Sequence, residues 1–150
     1  MGLQHQNDPQ LIRALLMDPG VWVVVGLSGN QERTAYRVAR WMHVELGTPI
    51  IPVHPRAETV HGGQGYASID DIPDQDIKVV DCFVNSQHVG AVVDDAIRNK
   101  ERLQIDAVWL QLGVVDEAAA ARARAAGLGV VMDTCPRIEW PKVAREGMQR

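Results

Sequence analysis

Aromatic side chains are scarce in this sequence: one Phe, two Tyr and four Trp among 150 residues. Any core must therefore be filled mainly by Val, Ile, Leu and Ala, the other residues that favour burial. Cysteine is scarcer still. Cys82 and Cys135 are too far apart for a CxxC motif, and a chain of this length needs no disulfide to fold. Nor is there an excess of positive charge. Fifteen Lys and Arg stand against nineteen Asp and Glu, a net −4, which argues against a general nucleic-acid binder. No apolar run approaches the roughly 18 residues of a membrane span. The opening MGLQHQNDPQ lacks the basic-then-apolar order of a signal peptide. Met1-Gly2 resembles a myristoylation start, but Gln6 stands where that motif needs Ser or Thr. His5, His43, His54, His61 and His88 show no metal-ligand spacing. The expectation is a soluble cytoplasmic protein with no metal, no membrane contact and no nucleic-acid partner.

Short β-branched runs at Val21–Val25, Pro49–Val53, Lys78–Val84, Ala107–Leu110 and Gly129–Met132 read as strands buried on both faces. Between them lie helical patterns. Asn7 or Asp8 can cap a first helix that stops at Pro19-Gly20. A second helix, about Glu32–Leu46, ends at Gly47. A third, capped by Ser86, places Val89, Val92, Val93, Ala96 and Ile97 on one stripe. A fourth covers about Glu117–Ala126, and the polar tail after Trp140 forms at most one short helix. Strands alternating with helices imply an α/β fold: a doubly wound, mostly parallel five-stranded sheet with helices on both faces. One domain accounts for residues 1–150, with a core over about 20–140. The long aperiodic stretch from His54 to Asp76 contains HGGQG, read as a flexible loop, and a short strand near Tyr66–Ala67.

In such a sheet ligands bind beyond the carboxyl ends of the strands. The first strand runs into Gly26-Leu27-Ser28-Gly29-Asn30 and then a helix, a turn that offers backbone N–H groups and the positive helix end to an anion. Ser28 adds a hydroxyl. The dinucleotide pattern G-x-G-x-x-G is broken, because its positions read Gly26, Ser28 and Gln31. No carboxylate follows the second strand before Glu58; Arg56 stands there instead, which disfavours NAD and suits a ligand with an extra phosphate. A cation at Arg33, in the first turn of the second helix, opposes the helix dipole unless an anion joins it. Arg37 and Arg40, farther along, read as a solvated face.

Several blocks in fixed order resemble the stand-alone CoA-binding domain family, itself similar to the N-terminal domain of the succinyl-CoA synthetase α subunit. These are GLS followed by Arg33 and YRVA, IPVHPR, VDCFVN, VWLQLG and MDTCPRIE, spread from about Trp22 to Trp140. The resemblance implies a Rossmann-like fold with coenzyme A or an acyl-CoA lying across the strand ends. Gly26 and Ser28, in the turn with Gly29 and Asn30, would cradle the pyrophosphate, and Arg33 would hold phosphate charge. His54, Pro55 and Arg56 would flank the adenosine. Phe83 and Val84 would pack on the nucleotide, and Trp109 and Gln111 would border the pantetheine. The sequence departs from the family pattern at His54, where Asn is usual, and at Thr134, where Arg is usual.

The reading is a CoA-binding protein without catalysis of its own. Other readings are an acyl-CoA thioesterase or transferase using His54 or Cys135, and a CoA-responsive regulatory or redox module in which ligand occupancy controls a partner protein; a separate candidate is a mixed disulfide between Cys135 and the CoA thiol. Cys82 reads as core. Asp81 and Asp133, at strand ends, read as caps of backbone N–H groups. Trp41 and Trp140 are candidates for a homodimer patch.

Overall fold

The computed structural model describes residues 4–148; the Met1-Gly2 pair lies outside them. Five four- or three-residue strands, β1 (Trp22–Val25), β2 (Ile50–Val53), β3 (Val79–Cys82), β4 (Ala107–Leu110) and β5 (Gly129–Val131), form one sheet in the order β2-β1-β3-β4-β5. Every pairing is parallel, so the expected "mostly parallel" sheet is wholly so. β3 and β4 are buried throughout, which is why they read as continuous apolar runs rather than alternating ones.

Helices cover both faces. α1 (Pro9–Met17), α2 (Thr34–Leu46) and α6 (Pro136–Met148) pack on a layer that includes Trp22, Val24 and Trp109. α3 (Val89–Arg98), the short α4 (Lys100–Leu103) and α5 (Glu117–Ala125) pack on Val23, Val80 and Val108. Adjacent strand residues point to opposite faces, so Val23 and Val24 serve different cores. Asp8 caps α1 by accepting from the Gln10 N–H at 2.9 Å, and Pro9 takes the first helical position, where no N–H is needed. Gly47, in the left-handed conformation, closes α2.

Three local readings change. Ser86 does not cap α3, which is preceded by His88; its hydroxyl instead accepts from the Val115 N–H at 2.9 Å and donates to the Gly113 carbonyl. The last helix begins at Pro136, ahead of Trp140, and continues through Pro141. Proline inside a helix disrupts a backbone bond, but here the buried Cys135 and Val143 hold the segment against α1 and α2. HGGQG is a pinned turn, not a flexible loop. A Cβ on Gly63 would lie 2.2 Å from the Ile50 carbonyl oxygen, and one on Gly65 2.1 Å from that of Glu58. His61 Nε2 sits 3.0 Å from the Tyr36 carbonyl oxygen. Nearby, Tyr66 contributes only an isolated bridge to Val53.

Trp109 and Trp22 lie with ring centroids 5.5 Å apart, fully inside the sheet, and the Trp109 indole N–H donates to the Thr134 carbonyl at 2.9 Å. Truncating that side chain leaves a cavity and an orphaned carbonyl. Trp109→Ala should lower unfolding free energy by about 3–5 kcal/mol, measured by urea denaturation.

Candidate functional site

The order β2-β1-β3 is the point where the chain changes face: α2 leaves β1 on one side and α3 leaves β3 on the other. A crevice opens beyond the carboxyl ends of strands at such a switch point. Here it is a cavity of about 940 Å³, near the upper end of the range for small-molecule sites. Gly26 follows β1 with φ +97°, a conformation that favours glycine, and a Cβ there would lie 2.4 Å from the Phe83 carbonyl oxygen. Leu27, wholly buried, anchors the turn.

The floor at β1 and β3 consists of Val25, Gly26, Phe83 and Val84. Ser28 also lines the cavity; its Oγ accepts from the Asn30 N–H at 3.2 Å, which leaves the hydroxyl proton free for a ligand. Arg33 is the residue before α2 rather than part of its first turn, with extended backbone (φ −79°, ψ 143°). That position normally carries Ser, Thr, Asp or Asn, whose side chain accepts from the first helical amides. Arginine has no acceptor, and no side chain caps α2. Thr34 and Ala35, bearing those first amides, line the cavity beside the Arg33 side chain.

His54 and Pro55 line the β2 end of the cavity with Ala67. The His54 Nδ1 accepts from the Arg56 N–H at 3.2 Å. On the far side, Gln111, Leu112 and Val114 after β4 face Cys135, Arg137 and Ile138 at the start of α6.

Four expected residues lie elsewhere. Trp109 is buried in the sheet and does not reach the cavity. Gly29 turns toward Glu58, whose Oε2 would lie 2.7 Å from a Cβ on that glycine. Asn30 spends its side chain on the turn, accepting from the Glu32 N–H at 3.1 Å. Arg56 points outward, 75% exposed, with Glu58 Oε1 3.9 Å away. Conversely, Arg37, Arg137 and Ile138 line the cavity and were not anticipated there. The helix face of Arg37, read alone, points to solvent. The position of Arg137 depends on α6 folding back across α2, which no local pattern announces.

A family model described as a CoA binding domain matches residues 20–141. The chain belongs to the CoA-binding domain family. An uncharacterised Bacillus subtilis (strain 168) protein, YneT, is 33% identical over 117 residues, 77% of this chain and 81% of its own. A hypothetical protein from Pyrococcus horikoshii OT3 has a similar structure, with a TM-score of 0.81 at 30% identity over 95% of this chain and 99% of that one. The dinucleotide forming acetyl-coenzyme A synthetase 1 of Ca. Korarchaeum cryptofilum shares the fold, with a TM-score of 0.66 and 21% identity over 83% of this chain and 27% of its own.

Cys135 is 8% exposed, and burial pushes its thiol above the ordinary value, so little thiolate forms at neutral pH. Cys82 is wholly buried, as expected of core. Asp133 also behaves as expected, accepting from the Gly113 N–H at 2.8 Å. Asp81 caps backbone only through the neighbouring Cys82 N–H. Its carboxyl is sealed within the sheet beneath Gln111, whose Nε2 donates to Oδ1 at 2.5 Å, while Oδ2 has no partner. Among the described residues no cluster fits a metal, and no helix is long and apolar enough to cross a membrane. Trp41 and Trp140 are half-buried against the α1, α2 and α6 layer.

Burial pushes the Asp81 carboxyl up to about 8 from its ordinary 3.8. The fold therefore retains a proton that the unfolded chain releases. The resulting stability is full below pH 3.8 and is lost as pH rises through about 8. Urea unfolding of wild type across that window should show a decline that Asp81→Asn, neutral at every pH, lacks. Parallel pH profiles would mean that Asp81 is ionised in the fold.

Proposed function

We propose that the protein binds coenzyme A or an acyl-CoA in the crevice above β1 and β3 and carries out no chemistry by itself. The observation that carries this reading is the start of α2. Amides that want an acceptor open onto a cavity, and the residue in the capping position supplies a guanidinium instead. A diphosphate answers both at once: its oxygens accept from the amides, and its charge is matched by Arg33 and the helix dipole. The adenosine then lies toward His54 and Pro55, and the pantetheine toward Gln111 and Leu112. Membership of the CoA-binding family supports this choice of ligand, and the broken glycine pattern together with the lack of a carboxylate after β2 before Glu58 weighs against NAD.

The cavity also argues for binding over catalysis. His54 Nδ1 is engaged by a backbone N–H, and among the described residues no carboxylate hydrogen-bonds the ring to orient it as a base. The one thiol on the cavity wall is held protonated by burial. A thioesterase, transferase or thiol-exchange role would need one of these two groups in its reactive form.

Calorimetry with CoA, acetyl-CoA, NAD and NADP tests the reading. CoA and acetyl-CoA should bind and NAD should not. Arg33→Ala should weaken CoA binding by about 1.5–3 kcal/mol, as for loss of a charge-assisted hydrogen bond. Silence with both CoA species would overturn the proposal, and equal affinity in the variant would remove Arg33 from the site. Steady release of free thiol from acetyl-CoA would overturn the non-catalytic part.

A further inference from the structure

Some arginines of this chain are held by carboxylates, and others, Arg124 among them, are not. Away from the crevice, Arg98, Arg102 and Arg122 each hold a carboxylate at 2.6–3.0 Å. Around it, Arg33, Arg37, Arg40 and Arg137 make no ion pair among the described residues. Arg33 is accounted for by the diphosphate. The other three lie beyond it, on the side of α2 that α6 approaches.

Arg37 and Arg137 line the main cavity and also a second hollow of about 530 Å³ with Arg40, Trp41 and Glu45, which sets three guanidinium groups against one carboxylate. Arg37 and Arg137 therefore stand at the border of cavity and hollow. Both are held in place by contacts that leave donors unused. Arg37 Nη1 donates to the Glu32 carbonyl at 3.1 Å, and the Arg137 guanidinium lies 6.0 Å from the centre of the Trp41 ring. On the approach to them, the wall is apolar yet uncovered: Leu112 is 63% exposed and Ile138 45%. Among the described residues Met17, Val44 and Val115 are the other large apolar side chains that are comparably open.

We infer that the acyl end of the site is built for an acyl-CoA whose acyl group ends in a carboxylate, with Leu112 and Ile138 packing its methylenes and Arg37 and Arg137 holding the acid. This rests on the CoA reading and adds the class of acyl group. An apolar approach bordered by two arginines matches a short dicarboxylic thioester: a guanidinium takes a carboxylate in bidentate fashion, and a neutral chain of equal length leaves it unanswered. The sealed carboxyl beneath Gln111 does not oppose this, because Asp81 keeps its proton at neutral pH and adds no negative charge below the lobe.

The test compares two stable thioethers of equal chain length, S-butyl-CoA and S-carboxypropyl-CoA, with free CoA, by calorimetry on the wild-type protein. The carboxylated ligand should bind about tenfold or more tighter than the butyl one, a difference of about 1.4 kcal/mol or more. In Arg137→Gln and Arg37→Gln that ratio should fall toward unity; the ratio is read, so a general change in affinity does not confuse it. Equal binding of the two thioethers by wild type overturns this inference while leaving CoA binding intact. A preference that survives both substitutions also overturns it. Absence of heat with free CoA and both thioethers overturns the CoA reading itself, and this one with it.

Discussion

Parallel strands can be joined only by a crossover that carries the chain from one end of the sheet back to the other. β1 sits between β2 and β3, the two strands that next follow it. Its onward connection must leave on one face, and that of β3 on the opposite face. The chain thus parts at the carboxyl ends of β1 and β3, and no helix can cover the gap. Much of the site follows from this separation. The turn after β1 is forced close to the end of β3, where only glycine fits against the Phe83 carbonyl. The first amides of α2 are delivered to the rim of the opening with their donors facing it.

Electrostatics then distinguishes this opening from an ordinary surface groove. The chain is acidic as a whole, yet among the described residues Arg33, Arg37, Arg40 and Arg137 make no ion pair, and Glu45 shares a hollow with the last three. An unpaired guanidinium on a wet surface is unremarkable singly, since exposed ion pairs contribute little. Several such groups beside uncapped helix amides make a region of positive potential with low-dielectric walls, which draws anions. The titratable groups under the floor fit the same picture, because Asp81 and Cys135 are both held in their uncharged forms by burial. The lobe stays positive at neutral pH, and the thiol stays unreactive.

The fold was legible in the residues because a parallel sheet buries both faces of each strand. The β-branched runs are a direct trace of that burial, and the helical stripes between them trace the covering layers. The turn from Gly26 to Ser28 was legible for a similar reason: a strand that enters a helix through small residues has few geometries open to it. Adjacent side chains were harder. Gly29 and Asn30 lie in the same turn as Ser28, yet one faces Glu58 and the other serves the turn itself. Sequence neighbours diverge over one residue in direction, and spacing does not encode that divergence.

What the chain's own sequence determined is therefore the sheet, its covering helices and the anion-seeking turn, all products of interactions among residues close together along the chain. The three-dimensional structure alone decided which distant segments share a wall. It withdrew Trp109 into the core because the indole reached Thr134 and Trp22, and it turned Arg56 outward. It also folded α6 through Pro141 onto α2, bringing Arg137 and Ile138 to the rim beside Arg37. The physical reason is packing: the docking of α6 depends on long-range burial of Cys135 and Val143, a contact between surfaces that the local pattern of either segment does not contain.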